Sequence, residues 1–252
     1  MTPRFGRAWV GVLAIAFLAG VLMGVPARVA LQLAPDAVAT RLVDVEGTMW
    51  RGRARLPLAH DSPVEIEWTL APGSLLIAAP RLALVLTHPL AGYRGALVLR
   101  SGAAELVDGS LRTSLGPLAR FAGLPPGALL GSIDVQGIGG MLTSDGISAL
   151  ACTGVVSGVT VAGGSAPIAL GDIGLACEGS PAGPAVAIVD RGGPLALQAR
   201  VAFAPGWRYL VDGTAGARAG APAALVQALP LLGRAEGPDR VRFRYSGEMV
   251  PR

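Results

Sequence analysis

The chain contains no lysine; all 21 of its basic residues are arginine. A Walker-type phosphate loop therefore lacks the amine it needs, and Schiff-base chemistry lacks its nucleophile. Aromatic residues make up only 5% of the 252, and there are two histidines, His60 and His88. His60 lies in Ala59-His60-Asp61-Ser62-Pro63, where Ser, His and Asp are neighbours in sequence. A working triad needs those groups convergent in space beside an oxyanion hole, which adjacent residues do not provide. No G-x-S-x-G elbow is present, and the two histidines and two cysteines lack the spacing of metal ligands. The pairs Asp44/Glu46 and Glu65/Glu67 each share one strand face. A glycosidase sets its two carboxylates across a cleft lined with aromatics, so polar strand faces account for these pairs better. The residues argue against an enzyme and imply no cofactor. The sequence pI is near 9.8, yet the arginines are scattered rather than gathered on one face, which argues against a nucleic-acid partner.

Charge is scarce throughout, at 15% of residues against 52% hydrophobic. Residues 8–27 carry none and lie between Arg4 and Arg7 in front and Arg28 behind. At about 1.5 Å per helical residue such a run reaches roughly 30 Å, the thickness of a hydrocarbon core. It is longer than the roughly 7 to 15 apolar residues of a cleavable export signal, and Arg28 would directly follow the small-residue site at Val25-Pro26-Ala27. The reading favoured is an uncleaved transmembrane anchor over 8–27, a cytoplasmic tail over 1–7 and an exported body over 28–252. Trp9 suits the interfacial belt at the front edge.

In the exported body the dominant period is two, the mark of half-buried strands. In Val64-Glu65-Ile66-Glu67-Trp68-Thr69-Leu70 the apolar side chains take alternate positions. The same alternation recurs at Leu82, Leu84 and Leu86, at Ile133 and Val135, from Leu195 to Phe203, and at Val241, Phe243 and Tyr245. Turn chemistry punctuates them at Leu90-Ala91-Gly92, Asp108-Gly109, Asp145-Gly146, Gly163-Gly164, Asp190-Arg191-Gly192-Gly193 and Asp212-Gly213. Two short helices are predicted, over about 115–122 and about 223–232. The expected fold is mostly β: the transmembrane helix, then an antiparallel sheet-rich region treated as one body, with a possible subdivision near 115–130. Cys152 and Cys177 would both lie in an oxidising compartment, and their separation predicts a disulfide; two buried free thiols are the alternative.

The alternation breaks at one place. Val43 and Val45 are apolar at odd positions, whereas Trp50, Ala54 and Leu56 are apolar at even ones, so the phase slips near Gly47, where a bulge or turn is required. Beyond the slip, Arg51, Arg53 and Arg55 share one face. That face is read as solvated surface or, more sharply, as a contact for an acidic partner strand or anionic headgroups.

Val45-Glu46-Gly47-Thr48-Met49-Trp50-Arg51-Gly52-Arg53-Ala54, then Ile66-Glu67-Trp68-Thr69-Leu70, behind an apolar N-terminal segment, resembles the N protein of bacterial type II secretion systems. Tyr245-Ser246-Gly247 is similar to that family's terminal aromatic-x-Gly pattern. The resemblance implies a single-pass accessory or scaffolding subunit of the cell inner membrane with its bulk in the periplasm. Its partners would be other subunits of the secretion machine, including the secretin and the inner-membrane protein that couples to it. On that resemblance Gly47, Trp50, Gly52, Trp68 and Leu70 are family-motif positions, structural rather than catalytic. A second reading is an anchored β groove holding lipid, resembling AsmA-like lipid-transport families.

Overall fold

The computed structural model describes residues 17, 20–21, 23–32, 40–58, 61–76, 78–121, 125–163, 166–180 and 183–249. The chain divides into two compact units, residues 1–88 and 89–252. In the first, α1 (Ala27–Leu31) precedes an antiparallel meander of β1 (Val43–Gly47), β2 (Arg51–Leu58), β3 (Asp61–Leu70) and β4 (Arg81–His88). A short helix, α2 (Pro72–Leu76), lies between β3 and β4.

The second unit is antiparallel as well. Its strands are β5 (Ala91–Arg100), β6 (Ala103–Ser114), β7 (Leu129–Thr143), β8 (Gly146–Gly163), β9 (Ala166–Ser180), β10 (Gly183–Asp190), β11 (Leu195–Ala204), β12 (Arg208–Ala217), β13 (Arg234–Gly237) and β14 (Arg240–Glu248). They lie in chain order except at the end, where β14 comes between β12 and β13. The helix α3 (Leu115–Phe121) joins β6 to β7, and α4 (Ala223–Ala228) leads through a 3-10 turn, Leu229–Leu231, toward β13. The helix expected over 223–232 is thus split, because Pro230 has no N–H to continue an α-helical ladder.

The alternating residues behave as a period of two requires. Val64, Ile66, Trp68 and Leu70 are half-buried while Glu65, Glu67 and Thr69 are exposed. Helical segments cover part of each apolar face. In the second unit Leu225 and Leu229 pack with Leu195, Ala215 and Val241, and Leu115 packs with Val156 and Val159. In the first unit Ala27 closes over Val45 and Ala54. Each fully covered Leu or Val contributes on the order of 1.5 to 3 kcal/mol.

Two expected turns are strand interior instead. Asp108-Gly109 is a bulge within β6, with Asp108 at φ 52° and the pairing to β7 shifted around it. Asp212-Gly213 lies inside β12, where Gly213 faces Ala199 so closely that a Cβ would stand 2.6 Å from the alanine methyl. A glycine in a strand marks close approach of backbone as well as a turn. Asp145-Gly146 and Asp190-Arg191-Gly192-Gly193 do connect strands.

Most of the anchor expected over 8–27 lies outside the described residues, as does His60. Phe17, Gly20, Val21 and Met23 are helical, and among the described residues no helix is long and apolar enough to cross a membrane.

Cys152 and Cys177 form a disulfide between directly opposite positions of β8 and β9, with Cα atoms 4.7 Å apart. Near the β10–β11 turn, Asp190 accepts from the Gly192 and Leu197 amides at 3.2 and 3.0 Å and from the Arg218 guanidinium. Burial alone would raise the Asp190 carboxyl; the bonds from Leu197, Arg218 and Gly192 outweigh it and leave its pKa below the ordinary value.

Replacing both cysteines by serine is expected to lower the unfolding free energy by about 3 kcal/mol, read by urea denaturation of the full chain in detergent. Without reductant, the denatured wild type should show no reactive thiol. Asp190→Ala should cost about 2 kcal/mol at neutral pH through lost hydrogen bonds. Because the folded-state pKa is lowered, that advantage is present above the unfolded carboxyl's value near pH 4 and is lost as pH falls through the folded value. The difference between wild type and variant should therefore shrink in melts taken below about pH 4.

Candidate functional site

The phase slip near Gly47 is a hairpin. β1 ends at Gly47, β2 begins at Arg51, and Gly47 pairs with Gly52 across them. Gly47 has φ 91°, and a Cβ there would lie 2.5 Å from the Arg51 carbonyl oxygen, so both backbone angle and space call for glycine. Thr48 closes the turn. Its N–H donates to the Arg51 carbonyl at 2.9 Å, while its Oγ1 accepts from the amides of Trp50 and Arg51, both at 3.3 Å. Short hydroxyl side chains bond nearby backbone in this way, and so they suit turns.

From β3, Trp68 lies opposite Gly52 with its indole over the glycine; a Cβ at Gly52 would overlap the ring and stand 2.5 Å from the Glu46 carbonyl. The indole Nε1–H reaches across to donate to the Thr48 carbonyl at 3.3 Å. The Leu70 amide donates to the Trp50 carbonyl at 2.7 Å, and Trp50 itself is buried. Gly47, Trp50, Gly52, Trp68 and Leu70 thus meet in one corner, where each has a packing or backbone task.

The same corner holds the end of the N-terminal apolar segment. Met49 N–H donates to the Val25 carbonyl at 3.0 Å, and Pro26 bridges to Thr48. Ala27 is buried against Val45 and Ala54, and Arg28 Nε donates to the Val45 carbonyl at 3.1 Å. Thr48 and Arg28 are the residues that sequence reasoning passed over. A hydroxyl between Gly47 and Trp50 was the available signal for the first; Arg28 read only as a flanking charge.

Arg51, Arg53 and Arg55 lie exposed on the opposite face from Ala54. Arg51 lies opposite Thr69, whereas Arg53 and Arg55 stand between acids. Arg53 pairs with Glu46 at 2.6 Å, and Arg55 pairs with Asp44 at 3.4 Å and Glu65 at 3.7 Å. Register places Glu67 directly opposite Arg53 and Glu65 opposite Arg55. The hydrogen bond and charge of Glu46 raise the Arg53 pKa further. The two carboxylate pairs and the arginines therefore form one alternating charge ladder across three strands. Beside it, Glu46, Arg51, Arg53, Glu67 and Val85, together with Gly52 and Trp68, line a depression of about 420 Å³.

A family model described as type II secretion system protein N matches residues 39–244, which include the whole corner beyond its N-terminal contacts. No curated protein and no solved structure matches the chain.

Gly52→Ala is expected to cost about 2 kcal/mol or more, since the indole must leave its seat. Trp68→Phe should cost about 1 to 2 kcal/mol through the lost Nε1 bond and ring area. The two together should cost less than their sum, because each undoes the same contact. Tryptophan fluorescence during urea unfolding of the full chain checks all three; strict additivity would show that the ring does not rest on Gly52.

Proposed function

The chain belongs to the type II secretion system protein N family, and from that premise we propose that it is an accessory, scaffolding subunit of the secretion machine, held at the inner membrane with its β-rich body in the periplasm. The observation that carries this is the family match over residues 39–244. The corner supports it in physical terms. Val25, Pro26 and Ala27 contact the β1–β2 hairpin, so the apolar N-terminal segment leads directly into this corner. An anchor entering the sheet at this corner would hold the first unit close to the membrane surface, where it can be presented to neighbours.

The contact surface proposed on this unit is the charge ladder with its adjoining depression. Arg53 and Arg55 share their carboxylates at the surface, so an acidic strand from the secretin or its inner-membrane coupling protein would exchange one set of exposed pairs for another. Such exchange contributes to orientation and specificity more than to raw affinity.

The second reading, lipid in an AsmA-like groove, has its own support. The apolar face of the first unit, with Leu56, Val64, Ile66, Leu82 and Leu84, is half-buried rather than closed. Acyl chains could lie there.

The test uses the full chain in its membrane. A photocrosslinker at Thr69 is expected to capture secretin or coupling-protein segments. The triple variant Arg51→Gln, Arg53→Gln, Arg55→Gln should lose most of that capture while keeping its melting temperature. Glutamine is the appropriate substitute, because reversing all three charges would stack like charges against Asp44, Glu46, Glu65 and Glu67. Undiminished capture in the triple variant would remove the ladder from the interface. Lipid recovered in stoichiometric amount, without any subunit crosslink, would favour the groove.

A further inference from the structure

The last strand leaves half of one edge bare. β14 pairs with β12 over its whole length, from Arg240 opposite Gly216 to Glu248 opposite Arg208. On its other side β13 reaches only Arg240, Val241 and Arg242. The hydrogen-bond phase beyond that point follows from one contact: Met249 N–H donates to the Trp207 carbonyl at 2.9 Å. In an antiparallel ladder the N–H and C=O of a residue point to the same side, and the side alternates along the chain. Odd-numbered residues of β14 therefore bond β12, and Arg244, Ser246 and Glu248 direct their main-chain groups away from the sheet. The placement of Gly233 against the Arg242 carbonyl agrees with this phase. Among the described residues no strand meets Arg244, Ser246 or Glu248 on that side. All three are exposed, as are Tyr245 and the nearby Leu231 and Leu232. Bare edges of this kind are templates for adding a strand.

We propose that the occupant is β14 of a second copy, added antiparallel about a two-fold axis through Ser246. In that register Ser246 faces Ser246 of the second copy, Arg244 faces Glu248 of the second copy, and Glu248 faces its Arg244. These are the positions whose main-chain groups point outward, so every pair exchanges two hydrogen bonds. The charges are compatible with the same register. Arg242 pairs with Asp212 at 3.1 Å; Arg244 and Glu248 stand opposite Asp212 and Arg208 across β12. The two-fold would add a second opposite charge on the bare side of each. On the other face Tyr245, whose hydroxyl donates to the Leu232 carbonyl of its own chain, lies opposite Gly247 of the second copy, where Tyr209 already packs from β12. A register centred on Arg244 would instead set that arginine against itself. The arrangement is isologous and closes after two copies, so it blunts the edge without starting a fibre. It does not depend on the secretion role.

The full chain in detergent, studied by sedimentation, is expected to be a dimer. Ser246→Cys should yield a disulfide-linked dimer on mild oxidation, because hydrogen-bonded opposite residues have Cα atoms about 5.5 Å apart. Arg244→Cys should not, since it faces Glu248. Arg244→Glu or Glu248→Arg alone should weaken the dimer about tenfold, and the two substitutions combined should restore it. A monomeric wild type would overturn the proposal. So would equal crosslinking at 244 and 246, failure of the combined variant to recover, or capture of Ser246→Cys by a different protein only.

Discussion

The indole of Trp68 resting on Gly52 is the contact on which the first unit depends. It joins β3 to the β1–β2 hairpin through packing, and its N–H joins the same ring to the Thr48 carbonyl. Thr48 and Met49 in turn receive the chain at Val25 and Pro26. One aromatic ring therefore connects the exit of the apolar N-terminal segment to the sheet. Glycine is needed at 52 for the ring to lie flat, and at 47 for the backbone to turn with φ 91°. Gly47, Thr48, Gly52 and Trp68 thereby act together as a joint.

The rest of the fold is economical in burial. Most apolar side chains stay half-covered, because the sheet in each unit has short helices over only part of one face. Among the described residues no polar or charged side chain is buried. Charges work on the outer face instead, in cross-strand ladders such as Asp44, Arg55 and Glu65 or Asp212 and Arg242. Exposed pairs of this kind contribute little to stability, but they fix register, because a one-residue slip would turn the arginines inward. A surface so organised suits assembly with other strands.

The strands were largely legible because a period of two is a local property: residues 64–70, 195–203 and 241–245 each announce which face is buried. The helix at Leu115–Phe121 was legible for a similar reason, since Pro125-Pro126 follow it closely in sequence. Asp108-Gly109 and Asp212-Gly213 misled because the same dipeptide serves a turn, a bulge or a close strand contact, and only the partner strand selects among them. In the candidate site the five motif positions and the arginine face were visible one by one. Their neutralisation by Asp44, Glu46 and Glu65 was not, because cross-strand pairing joins residues 7 to 11 apart with no local signal.

By itself the sequence determined an antiparallel β class, a charge-free N-terminal segment, an arginine-only cationic surface and a cysteine pair with suitable spacing. These follow from composition and short-range period. Tertiary structure alone decided that Cys152 stands opposite Cys177, that Val25 to Ala27 fold against the motif hairpin, and that β14 is inserted before β13 and left half uncovered. Strand register is the physical reason: it depends on which two distant segments align, and each segment by itself is compatible with many partners.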